Sequence, residues 1–163
     1  MGRVKSQMAD PTDELSWGVL SSAVGPRTRL LRNLLRMRAA MVTDPHDLPA
    51  GSLTVLSIVS ANEGCCQSAL ADRSGMFTTN VVNIVNELED RALVRRVRSK
   101  QDRRFKTVVL TQEGCDLMET LQNQIAAIED SIAREFDDGE MVRFIEFLDR
   151  AIGALTKGRA KKA

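Results

Sequence analysis

A chain of 163 residues, 43% of them apolar and with a formal net charge of +1, suits one domain with a moderate core, and its bulk charge names no partner. No run of about 18 apolar residues occurs and no signal peptide is visible at the start, so a cytoplasmic protein without a membrane span is expected. A single histidine, His46, no Cys-x-x-Cys spacing, no phosphate-cradling glycine loop and no Ser-His or Cys-His arrangement argue against a structural zinc site and against an enzyme. No cofactor and no metal are therefore expected.

Residues 1–12 are polar, with Gly2, Ser6 and Pro11, and read as a disordered tail. Thr12 or Asp13 can cap a helix starting near Glu14, with Leu15, Val19, Leu20 and Val24 on its apolar face. Gly25-Pro26 interrupts it, because the residue before proline is pushed out of the α region. The pattern resumes from Arg27 to Met41 through Leu30, Leu31, Leu34 and Leu35. Residues 13–47 therefore hold either one kinked helix or a short helix followed by a longer one. After a loop at Asp44-Pro45, Pro49 to Asn62 forms the next helix, with Leu53, Leu56, Ile58 and Val59 inward.

From Ser68 to Leu93 two short amphipathic helices meet at a glycine turn. Leu70, Ala71, Val81, Ile84, Val85 and Leu88 recur at steps of three and four and form one buried face. Gly75 stands where a left-handed C-cap is wanted, and Thr78 or Thr79 can accept from the orphan N–H groups of the second helix. The outward face carries Thr78, Thr79, Asn80, Val82, Asn83 and Asn86. Asparagine can pair with adenine N6 and N7, and a valine methyl can touch a thymine methyl. A plain solvated face explains the same residues.

Two strands follow, at residues 94–98 and 105–110, both rich in β-branched residues. From Arg95 to Lys106 the basic residues are Arg95, Arg96, Arg98, Lys100, Arg103, Arg104 and Lys106, against one acid, Asp102. Like charges crowded at a hairpin tip repel one another unless a polyanion relieves them. The sequence thus predicts a mainly α fold with a small β-hairpin wing, residues 48–111 forming a winged helix-turn-helix lobe for double-stranded DNA.

Thr111 can cap a helix from about Gln112 to Phe136, and Gly114 in its first turn allows close approach to the wing. Asp137-Asp138-Gly139 breaks it, and Met141, Phe144, Ile145, Leu148, Ile152 and Leu155 form the stripe of a last helix. Residues 157–163 are a basic tail. A body this thin would expose much of its terminal helices, so residues 13–47 and 112–156 are expected to build a twofold homodimer.

The stretch from Ser68 to Gly114, most sharply from Gly75 onward, resembles the winged-helix core of the MarR family of bacterial transcriptional regulators. The carrying residues are Ala69-Leu70-Ala71, then Asn86-Glu87-Leu88-Glu89-Asp90-Arg91-Ala92-Leu93-Val94, and above all Asp102-x-Arg104 with Leu110-Thr111-x-x-Gly114. The resemblance implies a dimeric regulator, most often a repressor. It assigns minor-groove reading to Arg104, its positioning to Asp102 and a phosphate contact to Arg103. It also implies a small aromatic effector bound between the dimer helices and the lobe. Trp17, Arg27, Met41, Leu53 and Met118 are candidate wall residues, and a core or interface anchor is the other reading of Trp17. Ala92 stands where the family usually has glycine, so the turn there is expected to be built differently. Ser74 replaces a more usual apolar residue.

Three cysteines, Cys65, Cys66 and Cys115, fit a reducing compartment. The adjacent pair reads as small buried hydrophobes, with an oxidant sensor as the other possibility. The alternative to a DNA-binding regulator is a winged-helix module that docks its wing on an acidic protein.

Overall fold

The structure, a computed structural model, describes residues 15–62, 64–98 and 106–157. The chain divides into two compact units, residues 1–37 and 38–163.

In the first unit a 3-10 turn, Gly18–Leu20, precedes helix α1, Val24–Thr43, whose C-terminal end belongs to the second unit. Of the two arrangements open to the sequence, the chain adopts a short helical turn followed by a long helix. Pro26 is the third residue of α1. In a first turn its missing N–H has no carbonyl to bond, so the ring interrupts nothing. Val24, Leu30, Leu34, Met37 and Met41 remain exposed along α1.

The second unit continues with α2 (Ser52–Ala61), α3 (Gln67–Ser74), α4 (Thr78–Asp90), strands β1 (Val94–Arg98) and β2 (Lys106–Leu110), α5 (Gln112–Ala133) and α6 (Glu140–Lys157). Its core is aliphatic: Val55, Leu56, Leu70, Val81, Val85, Leu88, Val94, Val108 and Leu121 are all buried. All six residues on the periodic face of α3 and α4 are buried in this core, Ala71 and Ile84 included. Helix α2 starts two residues beyond Ala50, because Gly51 takes a left-handed φ of 93° as its N-cap. Leu53 and Ile58 pack on the core only in part, and Val55 lies at its centre.

The strands pair antiparallel, from Val94 opposite Leu110 to Arg98 opposite Lys106. Cys65 adds a bridge on the other edge of β2, where Val108 N–H donates to the Cys65 carbonyl at 2.8 Å. The approach to α3 is thereby stitched to the wing.

At the far end of the hairpin, Thr111 caps α5 as its sequence predicts. Its hydroxyl accepts from Gly114 N–H at 3.0 Å and donates to the Ala92 carbonyl at 2.6 Å. A Cβ on Gly114 would lie 2.0 Å from the Leu93 carbonyl oxygen. Only glycine permits that approach of helix to chain. Ala92 itself has a φ of 56°. The turn is thus not built differently for lack of glycine: alanine occupies the left-handed region, at a cost of about 1 kcal/mol.

No residue of α6 is buried. Val142, Ile145, Phe147, Ile152 and Leu155 stand exposed along it, while Phe144 stacks on Phe136 with ring centroids 5.4 Å apart. Among the described residues no helix is long and apolar enough to cross a membrane.

Candidate nucleic-acid interface

Helix α4 is amphipathic because its apolar residues fall at positions 81, 84, 85 and 88, and burying them turns the remaining face outward. Thr78, Thr79, Asn80, Asn83 and Asn86 are exposed on that face, and Val82 is half-buried beside them. Gly75 ends α3 with a φ of 68°, the left-handed cap expected of it. The N-cap of α4 is a departure from expectation. Phe77 holds that position rather than Thr78 or Thr79, and no side chain accepts from the first turn.

The wing presents its arginines unequally. Arg95 and Arg98 are exposed, whereas Arg96 is half-buried and committed. Its guanidinium forms an ion pair with Glu89 and donates from Nη2 to Asn86 Oδ1 at 2.6 Å. Its backbone N–H donates to Glu89 Oε1 at 2.9 Å. These bonds, led by the one from the backbone N–H, hold the Glu89 carboxyl below its ordinary pKa. Arg96, read from the sequence as a DNA contact, thus braces the wing against α4, and Asn86 has its amide oxygen engaged. Arg98 and Lys106 face each other across the hairpin just below its tip. Like charges directly opposite on a ladder repel. Lys100, Asp102, Arg103 and Arg104 lie outside the described residues.

A second brace has no counterpart in the sequence expectations. Arg91, at the C-terminal end of α4, donates from Nη1 to the Asp47 carbonyl at 2.5 Å and from Nη2 to the His46 carbonyl at 2.6 Å. Asp47 has a φ of 50°, which turns the peptide after α1. The Asp-Arg pair before the wing is visible in the sequence, but nothing in it points to carbonyls 44 and 45 residues away.

The residues expected to line an effector site fall in different surroundings. Trp17 is 44% exposed, and the Arg27 guanidinium sits 6.0 Å from its ring centroid. A groove of about 610 Å3 runs beside them, lined by Trp17, Leu20, Pro26, Arg29 and Leu30. Met41 is exposed, Leu53 packs partly on the core of the second unit, and Met118 is buried in that core.

Cys65 and Cys66 are half-buried and Cys115 is exposed. Burial pushes the Cys65 thiol up, aided by neighbouring Cys66. Cys66 is lowered, chiefly by the Ser68 hydroxyl 3.2 Å from its sulfur and then by the Ala69 N–H. Among the described residues no three His, Cys, Asp or Glu side chains gather as metal ligands.

Two helices joined by a glycine turn, followed by a basic hairpin and flanked by long helices, define a winged helix-turn-helix protein. Residues 46–104 match the sequence model of the MarR family. Over that stretch the chain is similar to the members of that family.

Three comparisons, two of them with structures of CouR, extend the likeness. A putative transcriptional regulatory protein for the hcr operon of Thauera aromatica is 26% identical over 115 residues, covering 71% of this chain and 69% of that one. The transcriptional repressor CouR bound to a 23-mer DNA duplex has a TM-score of 0.73 at 25% identity, covering 85% of this chain and 99% of that one. CouR from Rhodococcus jostii RHA1 bound to p-coumaroyl-CoA has a TM-score of 0.73 at 25% identity, covering 80% of this chain and 92% of that one.

Proposed function

We propose that the protein is a dimeric transcriptional regulator, a cytoplasmic repressor without enzymatic activity, that binds a pseudo-palindromic operator. The observation that carries this reading is the union of an uncharged, polar outward face on α4 with a wing whose cations repel each other. Arg98 facing Lys106 costs the folded protein something, and a bound phosphodiester backbone removes that cost. The apolar stripe left open on α6 supplies the surface for a second copy.

In this reading α4 enters the major groove. Thr78, Thr79, Asn80, Val82 and Asn83 face the bases, and Asn86 keeps its amide nitrogen free for them while its oxygen holds Arg96. Arg98, Lys100 and Arg103 meet phosphates. Arg104, positioned by Asp102, enters the minor groove, where the potential is most negative. A small aromatic effector shifts operator affinity only through different affinities for the two lobe spacings of the dimer. Binding of CouR to p-coumaroyl-CoA supports an aromatic ligand class. Trp17 with Arg27 is the part of the first unit best suited to an aromatic anion.

Selection of duplexes from a random pool tests the proposal. A recovered palindrome with half-sites about one helical turn apart is expected. Arg104→Ala should then lower affinity and flatten the salt dependence, by about 0.9 in log–log slope for each phosphate no longer neutralised. A protein that enriches no sequence and binds no duplex in dilute buffer is instead a protein-docking module.

A further inference from the structure

Phe77 is out of place for the fold. It is 79% exposed, and every other large apolar side chain found exposed among the described residues lies within 15–41 or 142–155. Phe77 stands alone between those segments, on the winged-helix lobe. It also occupies the N-cap of α4 in an extended conformation, φ −67° and ψ 141°. That position favours Ser, Thr, Asp or Asn, whose side chains accept from the first-turn N–H groups. Phenylalanine forgoes that bond and gains no burial in return, so neither local nor core stability accounts for it.

The neighbours of Phe77 on the outward surface are Thr78, Thr79 and Asn80, all polar and exposed. It therefore sits at the end of α4 that leads into the major groove, next to side chains able to hydrogen-bond base edges. A phenyl ring offers no donor or acceptor and cannot hold a phosphate. One major-groove feature matches it: the C5 methyl of thymine.

We propose that Phe77 is a specificity-determining residue that packs on the methyl of one thymine in each operator half-site. This rests on the DNA-binding reading above. Burying one methyl against the ring makes each such thymine worth about fourfold in affinity.

The test is a cycle between protein and DNA, run on the selected operator with wild type, Phe77→Ala and Phe77→Ser. Each thymine pair related by the palindrome is replaced by deoxyuridine, which removes only the methyl. Wild type is expected to lose about sixteenfold at one symmetric pair, fourfold from each half-site. The Phe77→Ala protein should start weaker by a similar factor and lose nothing more at that pair. Phe77→Ser should behave the same on DNA while melting at a higher temperature, because serine restores the missing cap. That rise separates the effect from damage to the fold.

A deoxyuridine scan without effect on wild type overturns the inference. So does a Phe77→Ala loss that is equal on thymine and deoxyuridine duplexes. Both leave the regulator reading intact, since wild type still binds. A wild-type protein that prefers no duplex overturns both.

Discussion

Replacing Arg96 with methionine separates a brace from a DNA contact. The substitution keeps an unbranched apolar stem and the backbone N–H that donates to Glu89 at 2.9 Å. It removes the guanidinium, and with it the ion pair to Glu89 and the 2.6 Å bond to Asn86. The two ion-paired side chains are 19% and 36% exposed, so solvent screens the pair and its worth falls toward the surface range. Adding the missing bond to Asn86 gives a destabilisation of about 1 to 1.5 kcal/mol, or roughly 3 °C in melting temperature for a chain of this size. The decisive measurement is operator affinity between low and moderate salt. A brace leaves the log–log slope unchanged in Arg96→Met, whereas Arg98→Met should flatten it by about 0.9 per protomer. Equal flattening in the two variants would show that Arg96 leaves Glu89 for phosphate on binding, and the strut would be refuted. The pH dependence gives an independent check. The folded-state pKa of Glu89 is lowered, so its contribution is fully present above the ordinary carboxylate value and is lost as pH falls through the folded one. The stability gap between wild type and Arg96→Met should therefore narrow in acid.

Ala92→Gly should stabilise the protein by about 0.5 to 1 kcal/mol in chemical denaturation, since glycine accepts the left-handed turn freely but has more freedom to lose on folding. Gly114→Ala should destabilise by roughly 3 kcal/mol or more, or prevent folding, because its Cβ has backbone in its way and no flexible side chain to displace. At neutral pH Cys66 should be alkylated before Cys65, followed by peptide mass spectrometry, and Ser68→Ala should slow it by removing the hydroxyl that favours the thiolate.

Much of the lobe is readable because its signals are periodic or sterically unique. The positions of Val81, Ile84, Val85 and Leu88 admit one buried face, and Gly75 and Thr111 end and begin helices in ways few residues can. What escapes depends on choices between near-equals. Thr78 and Thr79 are both good caps, so nothing local announces that the cap lies one residue earlier, on a phenylalanine. In a strand carrying Arg95, Arg96 and Arg98, alternation separates the two faces, but the face that meets α4 is set by how the hairpin folds back. In sequence Glu89 is one more surface acid offsetting the wing, yet it is the partner that takes Arg96 out of the basic patch. The Ala92 turn shows the limit of propensity: tight connections on both sides, through Thr111 and Gly114, hold alanine where glycine would be easier.

Those connections also constrain how the proposed regulator could respond to an effector. Helix α4 is tied to the wing through Glu89 and Arg96. The turn that follows it is tied to the start of α5 through Ala92 and Thr111, and Arg91 ties its end to the peptides after α1. A ligand that bent α4 alone would have to break charged or backbone-directed bonds on three sides. Packed elements of this kind move as bodies more readily than they deform. An effector of the proposed regulator is therefore expected to displace the lobe as a whole, with the Asp47 and His46 carbonyls held by Arg91 as the proposed link from the α1 end to α4. Arg91→Ala would leave DNA contacts untouched and weaken that delivery. Operator affinity without effector should change little, while the affinity ratio with and without effector should shrink. A full effector response in Arg91→Ala would mean that the coupling runs through another part of the molecule.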